Sequence, residues 1–225
     1  MKPQQLLAQA RAPDGALLTL HAHDGQFVVR ADGQALMHSA LAASEVQLGE
    51  MASEAAKARK GACILIGGLG LGFTLRRVLE RLGAGEKAEV CVAELLPEVV
   101  EWNRTYLREL NGGCLEDARV TVRTGDVGAV LGRGRWDVIA LDVDNGPAAM
   151  VRAGNAGLYD ERGVARLAGA LRPGGTLLVW SAGPERGFER RLAAAGLVNV
   201  KAEPARTHAG ARSRGYVIFV AQRGG

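Results

Sequence analysis

Apolar positions along this chain follow two different periods, and the pattern switches early. Residues 16–22 (ALLTLHA) and 26–31 (QFVVRA) are short apolar-rich runs flanking Asp24-Gly25, and a second turn signal, Asp32-Gly33, follows at once. They predict a small β-hairpin or meander within residues 1–40. Ser44 with Gln47 has the spacing of a capping box, and SEVQLGEMASEAAKAR reads as a helix ending near Gly61. From there buried strands alternate with amphipathic helices. ACILIG is a strand, and Leu75, Leu79 and Leu82 form one stripe on the helix after it. AEVCVAE follows, then a helix opened by Pro97 on which Val99, Trp102, Tyr106 and Leu110 recur at helical steps. RVTVRTGD and WDVIALDVD are further strands. A helix over 158–171 ends at LRPGG, TLLVWSA is the next strand, and a helix over 185–195 precedes a closing pair, VNVKAE and YVIFVAQ.

This alternation predicts an α/β fold with a mostly parallel seven-stranded sheet covered on both faces and closed by an antiparallel hairpin. It divides the chain into a small N-terminal β region, 1–43, and an α/β domain, 44–225. A ligand is expected at the carboxyl ends of the strands, near the switch point.

The segment ILIGGLGLGFTLR shows what that end is built for. Gly68, Gly70 and Gly72 follow a strand and open a helix, so the backbone there can approach a ligand closely. Alone the motif is also compatible with tight strand–helix packing. Glu94, at the end of the second parallel strand, can accept the hydroxyls of a ribose, as it would for NAD or for S-adenosylmethionine. Asp126, in RTGDV after the third, can take the exocyclic amine of an adenine or cap a helix. At the end of the fourth, Asp142, Asp144 and Asn145 stand together in ALDVDNGP. Two carboxylates so close can hold a cationic amine, deprotonate it, ligate a metal or cap a loop. His21, His23, His38 and His208 are scattered, so no metal site is expected.

Bulk composition narrows the classes. Hydrophobic residues make up 48% and charged residues 23%, values of a globular chain with a full core. The net charge of +4 is spread over scattered arginines, and aromatic residues are 4%, so neither a nucleic-acid footprint nor a base-stacking platform is expected. The segment ARTHAGARSRG, with Arg206, His208, Arg212 and Arg214, is the best support for a nucleic-acid methyltransferase but reads better as a solvated hairpin or a lid. Cys63, Cys91 and Cys114 form no C-x-x-C pair and are expected as reduced thiols packed as small apolar residues. The start, MKPQQLLAQARAPDG, lacks the apolar core of a signal peptide, and no apolar run approaches the roughly 18 residues that cross a bilayer. A cytoplasmic protein without a membrane partner is the expectation.

ILIGGLGLGFTLRRVLE, VCVAELLPEVVEWNRTYL, RVTVRTGDV, WDVIALDVDNGP and LYDERGVARLAGALRPGGTLLVW, taken in order, resemble the spermidine synthase (polyamine aminopropyltransferase) family within the class I S-adenosylmethionine-dependent methyltransferase fold. The terminal antiparallel pair fits that fold, and the N-terminal hairpin looks like a shortened form of the family's β-domain. The resemblance implies cofactor contacts from the glycine motif, from Glu94 and Asp126 with their neighbours Leu95 and Val127, and from Asp142. It implies a catalytic role for Asp142, a place near the active site for Tyr159, and a homodimer; Asp144, where the family's serine–aspartate run is altered, is expected to orient Asp142 or balance its charge.

The departures are as informative. The aspartate of the family's G-G-G-D-G-G loop falls on Leu71, and the glutamine of its D-G-x-x-Q pattern falls on Met37. The tyrosine-histidine-glutamate of its next helix is reduced to Glu45. Losing an acid at Leu71 removes provision for a cationic cofactor tail and a charge that would repel a carboxylate. The sequence therefore favours S-adenosylmethionine itself and methyl transfer to a small amine-bearing acceptor, with Asp142 as base or orienter. Aminopropyl transfer from decarboxylated S-adenosylmethionine is the alternative, and a nucleoside-binding module without activity comes third.

Overall fold

The computed structural model describes residues 4–12, 15–132, 134–143, 156–207 and 215–225. Asp144, Asn145 and the 208–214 part of the basic segment lie outside them. The chain runs β1 (Gln5–Arg11), β2 (Leu17–His23), β3 (Gln26–Ala31), β4 (Gln34–His38), α1 (Ala43–Lys57), β5 (Cys63–Gly67), α2 (Phe73–Leu82), β6 (Glu89–Glu94), α3 (Pro97–Arg104), β7 (Val120–Thr124), α4 (Val127–Val130), β8 (Trp136–Leu141), α5 (Ala156–Tyr159), α6 (Glu161–Ala170), β9 (Leu171–Ser181), α7 (Arg186–Ala194), β10 (Leu197–Pro204) and β11 (Val217–Arg223).

The N-terminal strands form an antiparallel meander, β1-β2-β3-β4. Its turns rest on Asp24-Gly25 and Asp32-Gly33, all four with positive φ (47°, 75°, 48° and 81°), which suits the right-handed twist of the flanking strands. The Asp32 carboxylate accepts the Leu17 N–H at 2.8 Å and holds the second turn to the strand beside it. The expected hairpin is thus the middle of a four-stranded sheet.

The second sheet has the order β10-β11-β9-β8-β5-β6-β7, in which β11 alone runs opposite to its neighbours. Its central strands are apolar on both sides: Ile64, Leu65 and Ile66 of β5 and Val138 to Leu141 of β8 are fully buried. Alternate residues enter two cores. Ile64, Ile66, Val138, Ala140 and Leu178 pack under α1 and α2, together with Leu18, Leu20 and Val29 of the N-terminal sheet. Leu65, Ile139, Leu141, Leu177 and Val179 pack under α6 and α7 through Leu167, Phe188 and Leu192. The first core joins the two sheets. The stripe expected on α2 is buried there.

Three expectations are corrected. Ser44 does not cap α1, because the chain runs from a 3₁₀ turn at Ser39–Leu41, capped by His38, into a helix already formed at Ala43. Ser44 Oγ instead donates to Glu45 at 2.8 Å, and the Gln47 amide donates to the Pro204 carbonyl and accepts the Arg206 N–H at 2.6 Å. The helix opened by Pro97 does not reach Leu110 but ends at Arg104. Asn111 Nδ2 takes the Asn103 carbonyl at 2.9 Å, and the Leu107 N–H bonds back to Trp102 instead, so the α-helical ladder stops and Tyr106 turns outward. The helix expected over 158–171 breaks at Asp160, whose carboxylate accepts the Gly163 N–H at 2.7 Å as cap of α6. The thiols of Cys63, Cys91 and Cys114 are unpaired, with Cys91 and Cys114 buried. Burial pushes the Cys114 thiol up to about 12. No helix among the described residues is long and apolar enough to cross a membrane.

A charge interrupts the most buried strand. The Asp137 side chain is 2% exposed; it accepts the Cys63 N–H at 2.8 Å and pairs with Arg172 at 2.6 Å and Arg59 at 3.4 Å. It ties β8 to β5 and to the start of β9, at the end of the sheet away from the glycine turn. Asp137→Asn should lower unfolding free energy by about 2 kcal/mol in urea titrations with an unchanged m value, since it weakens a buried network without adding exposed surface. Glu116→Gln, at the exposed pair with Arg108, should leave the midpoint where it is.

Candidate active site

The site is built where β5 turns away from the sheet. Gly68 follows β5 with φ of 87°, Gly70 has 54°, and Gly72, with 86°, caps α2. Backbone bonds join the strand ends around this turn: Gly68 N–H to the Ala93 carbonyl at 2.9 Å, Asp142 N–H to the Gly67 carbonyl at 2.8 Å, and Gly125 N–H to the Glu94 carbonyl at 2.7 Å. A Cβ on Gly68 would stand 2.3 Å from the Asp142 carbonyl oxygen, and one on Gly72 would stand 2.8 Å from Asn111 Cβ. Asn103 Nδ2 donates to the Gly70 carbonyl at 2.8 Å and holds the turn open from below. The end of β4 lies above it, with Met37 Sδ 3.5 Å from where a Gly70 Cβ would be.

Glu94 ends β6 and is 8% exposed. Its oxygens accept the Leu69 N–H at 2.8 Å and the Leu96 N–H at 3.0 Å. Burial raises its proton affinity, partly offset by these amides. The Gly70 and Leu95 amides act on it in the same sense, and a ribose hydroxyl would use the acceptor capacity that these amides leave. Leu95 beside it is 51% exposed and offers an apolar surface for a base. Asp126 is exposed and caps α4 through the Gly128 N–H at 2.5 Å, so the capping role is present; its second oxygen is not committed by that bond. Val127, buried, packs toward the glycine turn, 3.1 Å from where a Gly67 Cβ would lie.

Asp142 follows β8 at the switch point and is half-buried. Burial of its carboxyl, and then repulsion from Glu45 in the first turn of α1, push its pKa up to about 8. Glu45, the residue to which the family's tyrosine-histidine-glutamate is reduced, thus acts on the site from α1. Tyr159 is buried; its hydroxyl donates to the Val143 carbonyl at 3.4 Å and its ring meets Phe188 edge-on, so it steadies the chain just beyond Asp142. Leu71 is 4% exposed and packs in the core beneath the turn. Sequence reasoning passed over Trp180 and Tyr216, which meet edge-on at this end of the sheet; the available signal was that Trp180 stands next to the end of β9, as Asp142 stands just past the end of β8. Among the described residues no group of three or more His, Cys, Asp or Glu is arranged to hold a metal ion.

The raised affinity of Asp142 has a stability consequence. Between 3.8 and about 8 the folded protein keeps a proton that the unfolded chain releases, so this carboxyl makes the fold progressively less stable as pH rises through that window. Asp142→Asn should therefore raise the calorimetric Tm over the parent protein at pH 8 and leave it nearly unchanged at pH 4. A difference independent of pH would place the Asp142 carboxyl in water.

No family model matches the chain. Over 126 residues, 54% of this chain, it is 31% identical to the polyamine aminopropyltransferases of Mycobacterium tuberculosis (strain CDC 1551 / Oshkosh) and Mycobacterium bovis (strain ATCC BAA-935 / AF2122/97). The matched stretch spans only 23% of those proteins. Among solved structures, a spermidine synthase in complex with the transition state analogue AdoDATO and the spermidine synthase from Thermotoga maritima each align at a TM-score of 0.73, covering 97% of this chain and 72% of theirs at 18% identity. The carbon methyltransferase CurJ aligns at 0.59 over 80% of this chain and 54% of its own, at 15% identity. The chain thus has the class I methyltransferase-like fold shared by these neighbours and resembles, over about half its length, the polyamine aminopropyltransferases.

Proposed function

We propose that this chain is a transferase that moves an aminopropyl group from decarboxylated S-adenosylmethionine to a small amine. The observation that carries the reading is that Glu45, whose carbonyl takes the Thr74 hydroxyl of α2 at 3.2 Å, stands at the same end as Asp142, near enough to the glycine turn for the two charges to repel. A cationic tail draws off the Asp142 proton and is held by both acids, whereas the carboxylate of intact S-adenosylmethionine is repelled by Glu45. The methyl-transfer reading leaned on Leu71, and a side chain packed in the core has little say over the charge of a ligand. The names of the relatives also weigh toward aminopropyl transfer, while the CurJ neighbour shows that the fold serves methyl transfer too.

The residues fit such a nucleoside. The positive-φ glycines leave clearance for its tail, Glu94 can take its ribose, and Leu95 and Asp126 its adenine. When bound, the sulfonium supplies an electrophilic methylene whose bond to sulfur breaks as the amine bond forms. The protein's own share is positional and acid–base. Glu45 and Asp142 hold the acceptor nitrogen near the reacting carbon, about 3–3.5 Å away in a productive geometry. An ammonium has no lone pair, so its proton must leave, and Asp142, ionised beside the cationic donor and with its proton affinity raised, is suited to accept it. Tyr159, through Val143, fixes the backbone that carries Asp142.

Calorimetric titration with the two nucleosides separates the readings. The decarboxylated form should bind at least tenfold more tightly than S-adenosylmethionine, and Glu45→Gln should narrow the gap. Incubation with an amine should then release the thioether nucleoside and an amine heavier by one aminopropyl group. Tighter binding of the intact form, with methylated product, would establish methyl transfer in its place.

A further inference from the structure

The end of the sheet that carries Asp142 also carries an aromatic wall that the acids do not explain. In the parallel pair β8–β9, Ala140 is level with Leu178 and Leu141 with Val179. Ala140 and Leu178 enter the core under α1, whereas Leu141 and Val179 enter the opposite one. Side chains alternate along a strand, so Asp142 and Trp180, one residue further on, stand side by side on the α1 face, their backbones about 4.8 Å apart. Glu45 reaches this face from α1. Trp180 is half-buried against the same core, and Tyr216, leading into β11, meets it edge-on with ring centroids 5.2 Å apart. The Trp180 Nε1 is buried and has no hydrogen-bond partner among the described residues. An indole N–H can only donate, and a buried donor left unpaired is unfavourable until something accepts from it.

We infer that Trp180 and Tyr216 wall the acceptor pocket, and that the acceptor is an amine bearing a hydroxyl or carbonyl oxygen that takes the indole hydrogen bond, in place of an all-methylene polyamine. This deepens the aminopropyl reading and rests on it. A polyamine at neutral pH presents only N–H donors, and the lone pair of its attacking nitrogen is directed at the electrophile. It therefore leaves the indole unpaired. Charge counts in the same direction. In this reading Glu94 serves the donor's ribose and Asp126 its adenine, so among the described residues Glu45 and Asp142 are the acids beside the reacting carbon. The donor's own ammonium uses part of that charge, and a second ammonium on the acceptor would lack a counter-charge. An aromatic face accommodates the acceptor's single cationic head.

The test uses the intact protein, decarboxylated S-adenosylmethionine, and linear amino alcohols against alkylamines and diamines of matching length, with release of the thioether nucleoside as readout. The best amino alcohol should exceed its matched alkylamine and diamine by about tenfold in kcat/KM, the usual worth of a buried hydrogen bond. Trp180→Phe should bring the ratio of amino alcohol to alkylamine to about one. Preference for the diamine, or equal rates for amino alcohol and alkylamine in the parent protein, would overturn the inference and leave aminopropyl transfer standing. If calorimetry shows the donor bound and no acceptor releases the thioether nucleoside, the aminopropyl reading falls and takes this inference with it.

Discussion

The clearance between Gly68 and the carbonyl of Asp142 is the constraint on which the ligand end of this molecule depends. The two backbones meet because β5 and β8 are adjacent parallel strands, and the helices that come after them, α2 and α6, pack on opposite faces of the sheet. A single added methyl would stand 2.3 Å from the oxygen and force the strands apart. With only hydrogen at that position, the turn folds back over the strand ends. Its amides reach the Glu94 carboxylate, and Asp142 is held beside the place where a ligand tail would lie. The buried Asp137 network at the other end of the same strands keeps them in register with β9.

The ligand end concentrates groups that are unfavourable for folding. Glu94 is buried with its proton affinity raised, Asp142 is repelled by Glu45, and the indole of Trp180 lacks a partner among the described residues. Each of these costs the free protein stability, and each becomes favourable when a group of the right charge or hydrogen-bonding type arrives. Such strain is sustainable because the strands beneath are largely apolar and packed on both faces. A rigid sheet allows a few side chains at its rim to remain poorly satisfied.

The N-terminal meander is more than an appendage in this arrangement. Leu18, Leu20 and Val29 lie in one core with α1 and α2, and Met37 at the end of β4 overhangs Gly70. The chain then passes through a 3₁₀ turn into α1, which carries Glu45 to Asp142, while Gln47 and Glu50 bind the segment after β10. One continuous stretch thus covers the glycine turn, supplies the second acid and anchors the entrance to β11.

Much of this was legible in the residues themselves. Periodicity located the parallel strands and the stripe on α2, because buried strands must be apolar throughout and a helix shows its core face every three or four positions. Asp-Gly pairs marked the hairpin turns, since few residues accept a positive φ. The places of Gly68, Glu94, Asp126 and Asp142 at the rim of the sheet could be read because each ends or follows a strand, and strand ends converge in this topology. What depended on distant partners was not readable. Asn111 ended α3 by taking a carbonyl eight positions back, and the early 3₁₀ turn moved the start of α1 past its apparent cap. Leu71 could not be assigned to core or pocket from its place in a motif. The pairings of Glu45 with Asp142 and of Trp180 with Tyr216 join elements far apart in the chain, and side-chain charge and hydrogen bonding take their meaning from neighbours that only packing supplies.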